Sequence, residues 1–209
     1  MTTPVGRSVF FAALGPDASR LRTECRDYAA GPTDRVIGEG VFEVVGSRFG
    51  RLGLLMRPFV GPRLLMTAHG RDVPFRVENR LVETAGGVTE LHATRTVHFP
   101  SGDQEFVDLL RVGDEPGTLI NVLGDARRVE LLLRVSVTAE GHLRLHSERA
   151  WLRLGGLRIP VPRLLAVRVE VIDGFDESTG RQTVAARAVN PLLGTVLVYR
   201  GSFLWRREP

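Results

Sequence analysis

The chain contains no lysine. All 28 of its basic residues are arginine, set against 24 acidic residues for a formal charge of +4. A guanidinium stays protonated far above neutral pH, so a sequence pI of about 10.4 reflects residue type and not a basic surface. The arginines are dispersed among acids, and the longest basic runs are pairs such as Arg127-Arg128 and Arg206-Arg207. The electrostatic footprint of a nucleic-acid-binding protein is therefore missing. Cysteine occurs once, at Cys25, which excludes an internal disulfide and a cysteine-rich metal site. No apolar run approaches the roughly 18 residues of a membrane-spanning helix. The opening stretch, Met1-Thr-Thr-Pro-Val-Gly-Arg7, lacks a charged region followed by a long apolar one, so a cytoplasmic location is expected. There is no Walker loop, no Gly-x-Gly-x-x-Gly after a strand and no Gly-x-Ser-x-Gly elbow, and no cofactor is expected.

What the chain does carry is alternation. From Asp72 onward apolar and polar residues alternate with period two, as in Val73, Phe75, Val77 and Leu81 against Pro74, Arg76, Glu78 and Arg80. Turn signals such as Gly86-Gly87, Pro100-Ser-Gly102, Glu115-Pro-Gly117 and Glu140-Gly141 divide the pattern into strands. With a first strand over 35–45, about nine or ten strands result. Residues 173–180 read as a loop between two of them. Short connections require antiparallel neighbours, and a sheet this long removes its edges by closing. The expected fold is mainly β: an antiparallel up-and-down β-barrel, or a strongly curved sheet wrapped on N-terminal helices. The last strand, running from the Asn190-Pro191 turn to Trp205, is apolar on both faces, with Leu197, Tyr199, Phe203 and Trp205 on one and Val196, Val198 and Leu204 on the other. Such a strand is expected to be covered on both sides and to close the sheet.

A single domain is expected. Residues 1–31 supply a short helix over 8–14 and a second from Asp17 or Ser19 to Ala29, bounded by Gly15-Pro16 and Gly31-Pro32. Ala18, Leu21, Cys25, Tyr28 and Ala29 form one buried stripe on the second helix, with Cys25 as a small hydrophobe. Residues 32–209 form the barrel-like body. A helix is inserted in it near 48–66, with Phe49, Leu52, Met56 and Phe59 on one face. That helix reads either as a plug in the core or as a lid over a cavity.

Several polar residues fall where the alternation calls for apolar ones. Arg95 sits between Ala93 and Val97, Asp108 between Phe106 and Leu110, Arg149 in phase with Leu145 and Trp151, and Tyr199 between Leu197 and Phe203. An arginine facing a barrel interior needs a carboxylate, a wet cavity or an anionic ligand, and Asp108 is a candidate partner for Arg95. The residues that would face a ligand are Arg95, Phe99, Phe106, Asp108, Arg149, Trp151 and Tyr199, with Met56 and Phe59 from the inserted helix. A buried ion pair alone would explain the same pattern. His142 and His146, four apart on a strand, stand about 13 Å from each other, too far to share an ion, and no metal is expected.

Four segments carry a resemblance: Phe10-Phe-Ala-Ala-Leu-Gly-Pro16, Arg95-Thr-Val-His-Phe99 with Phe106 after it, Gly156-Leu-Arg-Ile-Pro-Val-Pro162, and above all Asn190-Pro-Leu-Leu-Gly-Thr-Val-Leu-Val-Tyr-Arg-Gly201. Together they resemble an uncharacterised bacterial domain family. That domain is often fused to the C-terminal side of saccharopine-dehydrogenase-like NAD-binding proteins and also occurs alone. The chain departs from the family where a Leu-His-Pro-like segment usually follows Leu-Gly-Pro: here the residues are Leu21-Arg-Thr-Glu24. The resemblance implies no catalytic residues. Any oxidoreductase partner it implies would be another chain.

The leading expectation is a small-molecule-binding barrel with a largely apolar pocket, acting as a cofactor-independent cyclase or isomerase of a secondary metabolite. Such chemistry can run on placement alone, with Arg95 and Tyr199 holding a carbonyl. The alternative is a non-enzymatic carrier, or an interaction module for an NAD-dependent oxidoreductase.

Overall fold

The computed structural model describes residues 8–31, 35–47, 49–50 and 60–208. Its strands are β1 (Arg35–Gly46), β2 (His69–Gly70), β3 (Val73–Glu83), β4 (Thr89–Phe99), β5 (Gly102–Val112), β6 (Thr118–Leu123), β7 (Val129–Val137), β8 (Leu143–Leu154), β9 (Leu157–Pro160), β10 (Arg168–Asp176), β11 (Arg181–Asn190) and β12 (Gly194–Glu208). Ten of them close into an antiparallel barrel in the order β1-β3-β4-β5-β6-β7-β8-β10-β11-β12, with β12 returning to β1 and β8 joined directly to β10. The short β2 pairs with the end of β1, and β9 extends from β8. The expected barrel is thus the fold, and it is closed.

Alternation along each strand gives the barrel an inner and an outer face. Where β1 crosses β12 the two backbones come unusually close. A Cβ on Gly40 would stand 2.1 Å from the Ser202 carbonyl oxygen and 2.6 Å from Phe203 Cβ. The bare glycine gives Phe203 room on the inner wall. There it meets Tyr28 edge-on at 5.4 Å and Phe75 at 5.9 Å, while Phe42 stacks on Phe75 at 3.8 Å.

Helix α1 (Val9–Leu14) and helix α2 (Thr23–Ala29) plug one end. Val9, Leu14, Leu21 and Cys25 pack there against Leu119, Val135, Leu143 and Leu145. Ser8 caps α1, accepting from Phe11 N at 3.3 Å, and its hydroxyl donates to the Ala29 carbonyl, which ties the two helices together. The second helix is shorter than its pattern predicts. Residues Gly15–Arg20 form a 3-10 segment and Leu21 is extended, because Arg22 N donates to Gly141 O at 3.0 Å and not back along a helix.

Four other expectations need correction. Residues 51–59, and with them Met56 and Phe59 and most of the expected inserted helix, lie outside the described residues. At Gly61 (φ 86°) and Arg63 (φ 52°) the backbone leaves helical space, and the expected helix does not continue to 66. Instead Val107 N donates to Arg63 O (3.0 Å), and Gln104 Oε1 accepts from Thr67 N at 2.9 Å. This lays the segment along β5. Residues 173–176, expected in a loop, continue β10: Asp173 opposes Val184 and Asp176 opposes Arg181. Ladder pairing overrides their turn-like composition. Between β7 and β8 the register shifts, with Leu132 opposite Arg149 and Leu133 opposite Ser147. That bulge inverts the phase beyond Glu148. Finally, the outer face of β12 is not covered, and Leu204 is 57% exposed. Outside, ion pairs such as Arg76–Glu39 (2.7 Å) and Arg200–Glu43 (2.8 Å) flank that strand. Among the described residues no helix is long and apolar enough to cross a membrane.

Candidate functional site

The side chains of the described residues leave space inside the barrel. A cavity of about 910 Å³ runs from the helical plug toward the opposite end, within the roughly 300–1,000 Å³ of small-molecule sites. Its wall is mostly aliphatic and aromatic. Leu91 and Leu110 come from β4 and β5, Leu131 and Leu133 from β7, Val169 and Val171 from β10, and Phe42 and Phe75 from the side beneath β12. Leu64, Leu65 and Met66 line it from the segment laid along β5.

A cluster of polar side chains around Arg95 interrupts this wall, and Ser47, Arg187 and Asn190 also border it. Arg95 of β4 forms an ion pair with Asp108 of β5, whose side chain is 6% exposed. Asn121 of β6 donates through Nδ2 to Asp108 Oδ2 at 2.8 Å and to Leu109 O at 3.2 Å. Both carboxylate oxygens are thereby occupied. Arg95 is not saturated. One of its five N–H groups meets Asp108, the guanidinium lies 5.6 Å from the Phe106 ring centroid, and the group lines the cavity. Burial works against its charge, but the Asp108 carboxylate and the neighbouring phenols outweigh burial and raise its pKa. It is a permanent cation in an apolar chamber.

Around it stand Tyr199 of β12, Tyr28 of α2, Asn79 of β3 and Asp173 of β10, all on the cavity wall. Asn79 Nδ2 donates to Tyr28 Oη at 3.1 Å. Burial raises the pKa of both phenols, with Arg95 pulling the other way. Asp173 is the unusual member. Among the described residues its carboxyl group has no hydrogen-bond or ion-pair partner, and burial pushes its pKa up to about 6, opposed by Arg95. A carboxyl group of this kind changes protonation near neutral pH, which suits proton transfer.

Of the residues singled out from sequence, Arg95, Phe106, Asp108 and Tyr199 come together on this wall. Phe99 packs within the wall among Met66, Val73 and Val97. Arg149 is on the outside, its Nη2 2.6 Å from Glu115 Oε1. Trp151 borders the cavity but packs on the outer cluster of Leu109, Ile120, Val122 and Leu132, under Arg158 at 3.8 Å. The bulge at Glu148 moved both residues outward. Sequence reasoning missed Tyr28, Asn79, Asn121 and Asp173. Three of these had the same signal as Arg95, a polar residue in the apolar phase: Asn79 after Val77, Asn121 between Leu119 and Leu123, and Asp173 after Val169 and Val171. Cys25 lies below the cavity in the plug. Burial pushes its thiol up to about 11, as for an inert core cysteine.

These features define a closed ten-stranded antiparallel β-barrel whose largely apolar cavity carries a buried polar cluster around Arg95. The chain belongs to the family described as domain of unknown function DUF4166, which matches residues 26–203. It is also 30% identical over 154 residues to the uncharacterized protein YndH of Bacillus subtilis (strain 168), across 73% of this chain and 72% of that one.

Proposed function

We propose that this protein binds a small, largely apolar molecule inside the barrel, with a carbonyl or carboxylate end directed at Arg95. The observation that carries this reading is a guanidinium that, among the described residues, keeps unspent donors and faces a largely apolar cavity of about 910 Å³. The aliphatic wall takes the body of the ligand through the hydrophobic effect. Arg95 and the Tyr199 hydroxyl supply hydrogen bonds that strengthen in a low dielectric. We take the protein to be cytoplasmic, in keeping with its single, buried thiol. Native mass spectrometry of the purified chain tests the binding reading, together with titration by a long-chain carboxylic acid and by the matching hydrocarbon. Preference for the acid, weakened in Tyr199→Phe, is the expected result. Failure of both to bind would overturn it.

Asp173 favours a second, enzymatic reading: cofactor-independent isomerisation or cyclisation of a conjugated carbonyl compound such as a polyene or polyketide. The substrate carbonyl accepts from Arg95 and Tyr199. The Asp173 carboxylate takes a proton from a carbon conjugated to that carbonyl, and the C–H electron pair moves into the π-system. The resulting carboxylic acid returns the proton at a different carbon. No electrons are gained or lost, so no oxidant or reductant is required. The apolar wall folds the chain toward a near-attack geometry for ring closure. Incorporation of solvent deuterium into bound ligand tests this step. It should vanish in Asp173→Asn while binding is retained. Binding without any exchange would point to a carrier that passes its ligand to another protein, such as an oxidoreductase.

A further inference from the structure

At the end of the barrel opposite the helical plug, two loops each present a pair of leucines to solvent. Leu164 and Leu165 are 63% and 61% exposed, and Leu192 and Leu193 are 65% and 62% exposed. One buried side chain joins the loops. Asn190 Nδ2 donates to the carbonyl oxygens of Leu165 (2.9 Å), Ala166 (3.3 Å) and Leu164 (3.4 Å). Its Oδ1 accepts from the amides of Leu192 and Leu193, both at 3.0 Å. The amides of Leu165 and Ala166 donate in turn to Pro162 O, at 2.8 and 2.9 Å. The four leucines are thus held as one apolar patch, with the carbonyls of Leu164, Leu165 and Ala166 and the amides of Leu165, Ala166, Leu192 and Leu193 paired within the protein. Leu165, Leu192 and Leu193 also line the cavity, so the patch is continuous with the interior.

The two loops that carry the patch have charges of one sign, with Glu148 and Glu170 on the strands behind them. The stretches 161–168 and 190–195 contain no acidic residue. Arg163 and Arg168 are exposed and form no ion pair among the described residues. Arg187 spends two donors on Thr195 Oγ1 (3.2 and 3.0 Å). The carboxylate opposite Arg187 in register, Glu170, is engaged by Arg144 at 2.8 Å. Elsewhere on the outer wall arginines are matched by acids, as at Arg134–Glu148 (2.9 Å) and Arg76–Glu39 (2.7 Å).

We propose that this end of the barrel docks on an anionic lipid bilayer, with Leu164, Leu165, Leu192 and Leu193 entering the interfacial layer and Arg163, Arg168 and Arg187 meeting the headgroups. Peripheral binding of this type scales with apolar area plus attraction to anionic lipid. A basic cluster adds to it close to a negatively charged leaflet. Peptide groups paired within the protein can lose water without the penalty of orphaned donors, and loops already locked lose little entropy on insertion. The charged outer wall excludes burial of the barrel body in hydrocarbon, so the contact is confined to this end. Docking would open the cavity directly onto the acyl layer, from which an apolar ligand can enter without crossing water.

The test is flotation of the full chain with vesicles of phosphatidylcholine alone and of phosphatidylcholine mixed with phosphatidylglycerol. Binding to the mixed vesicles, weakened by salt, is expected. Arg163→Gln/Arg168→Gln should lower partitioning by about thirtyfold, and replacing the four leucines with serine should abolish it. These positions are exposed, and thermal unfolding would verify that the variants fold. A Leu192→Cys variant carrying a polarity-sensitive dye gives an independent readout, since Cys25 is buried. Its emission should shift to the blue on mixed vesicles. Absence of flotation with both vesicle types, or equal binding by the serine variant, would overturn the proposal. So would a concentration-dependent dimer that the serine variant loses, because a second copy would then cover the patch. None of these readouts requires the cavity ligand, so their outcome is separable from that of the binding reading.

Discussion

Asn121 donates through Nδ2 to Asp108 Oδ2 at 2.8 Å and so occupies the carboxylate oxygen that Arg95 does not. Both oxygens of the acid are engaged, while among the described residues its base keeps free donors. That asymmetry separates this cluster from an ordinary structural ion pair. A pair that exists only for stability satisfies both members. Here the unspent capacity belongs to the cation and faces an apolar cavity, next to a carboxyl group, Asp173, that has no partner of its own among the described residues.

Removing the cation leaves a buried, uncompensated carboxylate. Arg95→Met should lower the free energy of unfolding by about 3–5 kcal/mol. The double variant Arg95→Met/Asp108→Leu should recover most of that loss. Urea denaturation at neutral pH gives both numbers. Equal destabilisation by the single and double variants would show that the two residues do not interact.

Asp173 makes stability fall with rising pH. Its folded pKa is pushed up to about 6 by burial, while in the unfolded chain it titrates near the usual aspartate value of about 3.9. Between these values the folded state holds a proton that the unfolded state has released, so stability drops as pH rises through that window. The cost reaches ~2–3 kcal/mol above pH ~6. Asp173→Asn should therefore be more stable than the parent chain at pH 7, with the difference shrinking toward pH 4. Denaturant midpoints across that range check the sign.

Gly40→Ala would place a methyl group 2.1 Å from a carbonyl oxygen of β12. The barrel must separate β1 from β12 to accept it. A loss of more than ~2 kcal/mol is expected. Gly86→Ala, whose added Cβ meets nothing closer than Thr84 Oγ1 at 3.9 Å, should stay within about 0.5 kcal/mol. Thermal melts of the two variants provide the comparison.

Asn190→Ala removes the acceptor of two amides and the donor to three carbonyls. The amides of Leu192 and Leu193 should then exchange with deuterium much faster, while those of the helical plug remain protected. The global loss of stability should be about 1–3 kcal/mol. Unchanged exchange at Leu192 and Leu193 would show that Asn190 does not lock the loops.

Much of this site was legible in the alternation. A polar residue in the apolar phase of a strand marks an inner-wall position, and Arg95, Asp108 and Tyr199 were found that way. Asp173 carried the same mark but sat beside Gly174 in a stretch composed like a turn. Its strand exists because β11 pairs with it, which is not a local property. Arg149 and Trp151 were misplaced for the converse reason. Their phase is set by a bulge at Glu148, and the extra residue is visible only in the register between β7 and β8.

By itself the sequence determined the fold class, an approximate strand count and the apolar character of the last strand, because side-chain period and turn chemistry are local. Only the tertiary structure decided which side chains share the cavity and that Asp173 lacks a partner among the described residues. It also decided that Asn190 binds two distant loops into one apolar face. Those relationships depend on strand closure and register, which bring together residues such as Tyr28, Arg95 and Asp173 from separate parts of the chain.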